Sequence, residues 1–251
     1  MIGIFDSGLG GLTALCEARR LLPHTDIVYF GDTARCPYGV KSEKTLLRYT
    51  EEAISLLESY GADRILAACG TVSSVALPRL RDRVTAELYG VCEEGLAEIS
   101  GEKIAVIATP ATVRSHAFRD AIKKRLPKAS VTETACPMFV AMAENGLRDP
   151  SDPVVRELVS RSLAPLKGSP PDTLVLGCTH FPLLAEAIRQ FLPQTRLYDV
   201  GKEAAKALLP ERDREAGKTL ILLSDLDDGY EATVRRIVGE GVGAEIRAAS
   251  I

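Results

Sequence analysis

The chain has 251 residues, 46% of them hydrophobic, enough to bury a large core in one big domain or two small ones. No apolar run approaches the roughly 20 residues of a membrane span, and Met1 leads into a strand-like segment with no basic leader, so a soluble cytoplasmic protein is expected. A formal net charge of −3, with no basic run carrying interleaved aromatics, argues against nucleic acid and membrane surfaces as partners; six cysteines without CxxC or paired zinc-type spacing read as reduced thiols.

In chain order, residues 2–5 (IGIF) predict a buried strand, and residues 6–11 (DSGLGG) a glycine-rich turn into a helix over 12–22 that Pro23 stops. Such a turn lets backbone N–H groups approach an anion at a helix N-terminus. Its spacing matches neither nucleotide-binding glycine signature, so a carboxylate fits as well as a phosphate. Residues 26–30 predict a second strand, followed by a polar loop over 31–39 (GDTARCPYG) that borders the carboxyl edge of a sheet. Ser42 caps a helix whose Leu46, Ala53, Ile54 and Leu57 share one face, closed by Gly61.

Residues 65–74 (ILAACGTVSS) compress a buried strand, Cys69 and a helix start into ten residues, ahead of a helix that Pro78 shortens or kinks. A thiol at a helix N-terminus is biased toward thiolate, the form that acts as base or nucleophile. Residues 87–92 predict one more short strand.

From Lys103 the pattern begins again, with a strand over 104–108, a turn over 109–113, a helix over 115–126 and a strand over 129–134. Residues 135–138 (ACPM) mirror 34–38 (ARCPY). Residues 174–184 (LVLGCTHFPLL) repeat the strand, cysteine and helix-start grammar around Cys178. Matched points lie at offsets of 103 (Asp6 to Thr109), 100 (Cys36 to Cys136) and 109 (Cys69 to Cys178), which indicates two copies of one βα unit. A strand over 196–199 ends the second copy, while a strand over 219–223 and a helix over 230–238 return to the first. The expected fold is α/β: two pseudo-symmetric doubly wound domains, residues 1–93 plus about 205–251 (the Cys69 side) and about 94–204 (the Cys178 side), facing each other across a cleft.

A cleft with one thiol on each wall suits removal of a proton from one face of a carbon and its return to the other, as inversion of a stereocentre requires. His180 is placed to set the protonation of Cys178, and Asp6 to serve the Cys69 side. An arbitrary cysteine is a small buried hydrophobe, the reading applied to Cys16, Cys92, Cys36 and Cys136. Arg35 and Lys41 read as solvated or bracing charges, and His24 and His116 as surface residues. Cys-x-His at 178–180 with no second close pair is weak grounds for zinc, so no metal site is expected. From the residues alone, a non-catalytic binder of an acidic amino acid remains beside the isomerase, as does a lyase using one cysteine.

Taken together, residues 2–12 (IGIFDSGLGGL), 29–39 (YFGDTARCPYG), 68–71, 108–114 (ATPATVR), 135–140 (ACPMFV) and 176–184 (LGCTHFPLL) resemble the glutamate racemase branch of the aspartate/glutamate racemase superfamily. The resemblance implies cofactor-independent interconversion of L- and D-glutamate, supplying D-glutamate for peptidoglycan, with no pyridoxal group and a homodimeric tendency. Carried over by position, Cys69 and Cys178 are the acid–base pair, supported by Asp6, Glu144 and His180. Asp6, Ser7, Pro37, Tyr38, Gly39, Gly70, Thr71, Thr112, Thr179 and His180 match substrate-binding positions. One departure is Gly70, where the family usually has Asn, which leaves affinity and the choice of amino acid less constrained than the reaction type.

Overall fold

A computed structural model describes residues 1–208, 217–239 and 242–251. The first half of the chain forms β1 (Ile2–Asp6), α1 (Leu12–Leu21), β2 (Ile27–Gly31), α2 (Glu43–Ser59), β3 (Arg64–Ala67), α3 (Leu77–Leu80) and β4 (Glu87–Gly90). There follow β5 (Lys103–Ala108), α4 (Pro110–Ser115), α5 (Ala117–Arg125), β6 (Ser130–Ala135), α6 (Met138–Glu144), α7 (Pro153–Lys167), β7 (Thr173–Leu176), α8 (Ala185–Phe191) and β8 (Arg196–Asp199). The chain closes with α9 (Val200–Ala205), β9 (Thr219–Leu223), α10 (Asp228–Val238) and β10 (Glu245–Ala248).

The strands form two sheets, ordered β10-β9-β2-β1-β3-β4 and β6-β5-β7-β8, and every neighbouring pair is parallel. Parallel sheets are covered on both faces, which is why β1 and β7 are apolar runs buried at every position rather than alternating. Strands β2-β1-β3-β4 and β6-β5-β7-β8 occur in the same order, the topology expected of a repeated unit. Three apolar clusters fill the molecule. One, containing Ile4, Leu12, Leu15, Val106, Val175 and Val200, spans both sheets; the others cover one sheet each, around Phe30, Ile54 and Leu66's neighbour Ala67, and around Ile107, Phe139 and Leu163.

Several local expectations change in the folded chain. The helix expected over 115–126 divides at His116, which takes a left-handed conformation (φ 57°) and joins α4 to α5. His116 lies at the surface as expected, its side chain 46% exposed, with Nδ1 2.6 Å from Glu133. After Cys69 the chain runs as a wide π-turn over Val72–Ala76. Pro78 cannot donate the N–H that would bond one turn back, so widening just before it is consistent with its missing donor. The loop over 31–39 carries two short 3-10 turns and buries Asp32 and Tyr38 completely. Strand β10 was not anticipated from the sequence; it pairs with β9, which lies beside β2 and so joins the first sheet as expected. The segment assigned to the first domain includes residues 209–216 and 240–241, which lie outside the described residues.

Candidate active site

The site forms where the carboxyl ends of β1, β3, β5 and β7 converge. Asp6 ends β1, Cys69 follows β3, Thr109 follows β5 and Cys178 follows β7. Asp6 is fully buried; its carboxylate accepts from the Gly11 N–H (2.9 Å) and from the Thr179 hydroxyl (3.2 Å), tying the first glycine turn to the opposite sheet. The glycine-rich turn therefore spends this N–H on its own Asp6, not on an external anion. Gly10 is small for another reason: a Cβ there would lie 2.7 Å from His180 Nδ1 and 2.8 Å from Thr179 Oγ1. Asp6 thus touches the Cys178 side as well as the Cys69 side for which the sequence placed it.

Both cysteines are buried. The Cys69 thiol donates to Ser7 Oγ at 3.5 Å. Burial and the Asp6 carboxylate push this thiol up to about 12, against the lowering effects of Ser7 and the Val72 N–H, so Cys69 is held neutral. This corrects the expected thiolate bias: the helix-start N–H contributes, but desolvation of the charged sulfur is larger. Cys178 Sγ lies 3.8 Å from His180 Nδ1, and His180 Nε2 is bonded to Glu144 Oε1. Burial opposes charge on the ring, yet the hydrogen bonds to Cys178 and Glu144, with the Asp6 charge, raise His180 well above its ordinary value. Burial likewise opposes charge on Glu144, but its bond to His180 and the ring's positive charge hold the carboxyl below the usual range. Both shifts favour the charged forms of His180 and Glu144, and the other ring nitrogen, Nδ1, faces the Cys178 sulfur. The two walls are chemically unequal: Cys69 faces a hydroxyl, Cys178 an imidazole paired with a carboxylate.

A chain of hydroxyls crosses between the sheets beside the cysteines. Thr71 Oγ1 and Thr109 Oγ1 are 3.0 Å apart, Thr109 bonds Thr112 at 3.1 Å, and Ser74 reaches Thr112 at 3.5 Å. Thr71 thus spends its side chain on the network and not on capping the helix after Cys69. Pro37, Tyr38 and Gly39 lie on the loop after β2; Gly39 abuts Thr109, and Tyr38 is buried against Phe5 and Tyr49. The Tyr38 hydroxyl donates to Asp32, whose carboxylate also accepts from Arg35 Nε (2.6 Å) and Ser224 Oγ (2.7 Å). Arg35 braces as expected, reaching Glu52 and stacking 3.9 Å over Tyr49.

Pro37, Gly39 and Glu144 line, with Cys36 and Thr109, an adjoining cavity of about 280 Å³, while Tyr38 turns away to Asp32 and Tyr49. Sequence reading missed Asp32, Thr109, Ser224 and Cys36. Asp32 sits in a polar loop that gives no sign of burial, and Cys36 was taken as an inert hydrophobe although its Sγ lies 4.0 Å from Glu144 Oε1. Its mirror, Cys136, is wholly buried in the second sheet's outer cluster. Gly70 is explained by packing: a Cβ there would lie 2.1 Å from the Gly177 carbonyl oxygen, so the two cysteine-bearing turns meet backbone to backbone.

Residues 10–208 match the family model described as Asp/Glu/Hydantoin racemase. The chain is 38% identical over 250 residues to the glutamate racemase of Aquifex aeolicus, covering 98% of this chain and 96% of that protein. Among solved structures, glutamate racemase from Francisella tularensis in complex with D-glutamate superposes with a TM-score of 0.86 at 28% identity, covering 100% of this chain and 96% of the other. The Aquifex pyrophilus glutamate racemase gives a TM-score of 0.81 at 37% identity over 99% and 98%. With the fold, the paired strand-end cysteines and these likenesses in agreement, the chain belongs to the Asp/Glu/hydantoin racemase family, within its glutamate racemases.

Proposed function

We propose that the chain interconverts L- and D-glutamate by two-base proton transfer at the α carbon, with Cys69 and Cys178 on opposite faces. The observation that carries this reading is the placement of two buried sulfurs at corresponding strand ends, Cys69 beside Ser7 and Cys178 beside the His180–Glu144 pair. In the starting state Cys178 takes the α proton from one face and Cys69 gives its thiol proton to the other. The C–H bond on the first face breaks as the new C–H bond forms on the second, leaving Cys178 protonated and Cys69 charged. The reverse direction begins from that exchanged state, and Asp6 and His180 relay protons to restore either one.

Ser7, Gly39, Gly70, Thr71, Thr112, Thr179 and the Pro37–Tyr38 segment hold the substrate through hydroxyl and backbone groups. The α proton is moved by the two sulfurs, with no step assigned to a cofactor. The D-glutamate would serve peptidoglycan synthesis in the cytoplasm. Among the described residues no helix is long and apolar enough to cross a membrane, and the composition favours neither nucleic acid nor membrane surfaces as partners. We also assign residues 1–93 with about 205–251, and about 94–204, to two domains, and the assembled enzyme to a homodimer.

Polarimetry from each glutamate enantiomer, without pyridoxal phosphate, tests the activity: both runs are expected to converge on zero rotation. In D2O, early product carries deuterium at Cα while recovered substrate keeps protium, because each face has its own base. Cys69→Ala and Cys178→Ala are each expected to abolish racemisation. Full activity in either variant overturns the two-sulfur scheme.

A further inference from the structure

We propose that Cys36, Glu144 and His180 form a site for a zinc-type divalent cation whose occupation switches the enzyme off. The inference rests on the proposed function for its consequence, though not for its ligands. The three residues come from separate places in the chain: Cys36 from the loop after β2, Glu144 from the last turn of α6, His180 from the segment after β7. Their donor atoms nevertheless lie within 4.8 Å of one another. A thiolate, an imidazole and a carboxylate form a mixed sulfur, nitrogen and oxygen set that suits Zn2+ or Co2+ and discriminates against Mg2+ and Ca2+, which prefer oxygen alone.

Three further features favour a cation here. Gly8 leaves the trio uncovered: a Cβ at that residue would sit 2.9 Å from Glu144 Oε1, 3.2 Å from Cys36 Sγ and 3.7 Å from His180 Nε2. The cavity lined by Cys36 and Glu144 offers a solvent path and room for a water as fourth ligand. The other ring nitrogen of His180 is oriented by Cys178, as the second nitrogen of a metal-bound imidazole commonly is by its own partner. The sequence lacked a second donor pair near Cys178 and His180; folding supplies it from residues 36 and 144.

Binding forms three metal–ligand bonds and releases two protons to solvent, one from the Cys36 thiol and one from His180 Nε2. Glu144 turns from partner of the ring to ligand of the metal. His180 can then no longer exchange its proton with Glu144, and the Cys178 side of the proton transfer stops.

The test uses the full chain, with ZnCl2 and CoCl2 as probes. Racemisation is titrated with Zn2+ in the unmodified protein and in Cys36→Ala, with Cys36→Val as a second variant should the first be destabilised. Zn2+ is expected to inhibit the unmodified protein, and the variant to require roughly 10- to 100-fold more metal for the same fractional loss of its own activity. Co2+ should give thiolate-to-cobalt charge-transfer absorption that the Cys36 variants lose, a readout that stands even if the chain racemises nothing. Equal Zn2+ sensitivity in variant and unmodified protein would place the ion on Cys69 and Cys178 and overturn the proposal. So would cobalt spectra that do not depend on Cys36.

Discussion

Replacing Gly70 by Ala tests how closely the two catalytic walls must meet. A Cβ at residue 70 falls 2.1 Å from the Gly177 oxygen, well inside the 3.4 Å at which ordinary contact begins. Neither side can yield locally. Ala67 is in ladder register with Phe5 and Gly90, Leu176 with Ile107 and Asp199, and the Gly177 N–H donates to Ile107 O at 2.8 Å. The turns must therefore part by about 1 Å, and Cys69 and Cys178 go with them. A misplacement of that size costs on the order of 10²-fold in rate, or about 2.7 kcal/mol of activation free energy. The overpacking itself costs about 1–3 kcal/mol of stability. Racemisation kinetics followed by circular dichroism, with urea unfolding alongside, are expected to show both losses, and Gly70→Asn should fall at least as far. If kcat/KM and the unfolding midpoint of Gly70→Ala match the unmodified protein, the Gly70–Gly177 contact does not set the spacing of the sulfurs.

Glu144→Gln removes the charge that helps hold His180 protonated, so the alkaline limb of kcat is expected to move to lower pH, and an unmoved profile counts against the pair. The same pair shapes stability. The depressed Glu144 contributes fully above its unfolded value of ~4.3 and loses that contribution as pH falls through its folded value, while the raised His180 contributes fully below ~6.5 and loses it as pH rises through its folded value. Urea midpoints should therefore fall off less on both sides in Glu144→Gln. Asp32→Ala leaves the Tyr38 hydroxyl and Arg35 without their shared buried acceptor and is expected to cost about 3 kcal/mol. An unfolding free energy within about 0.5 kcal/mol of the parent would show that the Asp32 network is dispensable.

The α/β class and the two strand-end cysteines were legible because both depend on short-range pattern: apolar runs of strand length ending in Cys69 and Cys178, each followed by residues that open a helix. The duplication was legible through matched spacings, and the common strand order β2-β1-β3-β4 and β6-β5-β7-β8 gives it a physical form. What escaped depends on distant groups. Whether Cys69 holds its proton is decided by burial and by Asp6, 63 residues away in the chain, not by the helix that follows it. Asp32 is buried among partners that include Ser224, which follows β9 and lies 192 residues later in the chain. Strand β10 has little apolar pattern because most of it is exposed, and it is held by its ladder to β9.

The stretches that follow β4 and β8, residues 91–102 and 200–208, lie side by side. Leu96 and Ile99 share a cluster with Val200, Ala204 and Ala205, and Lys206 Nζ bonds Glu98 Oε2 at 3.2 Å. Packed against one another in this way, the stretch leaving β4 and the stretch leaving β8 form one joint, and a change that loosens either loosens both.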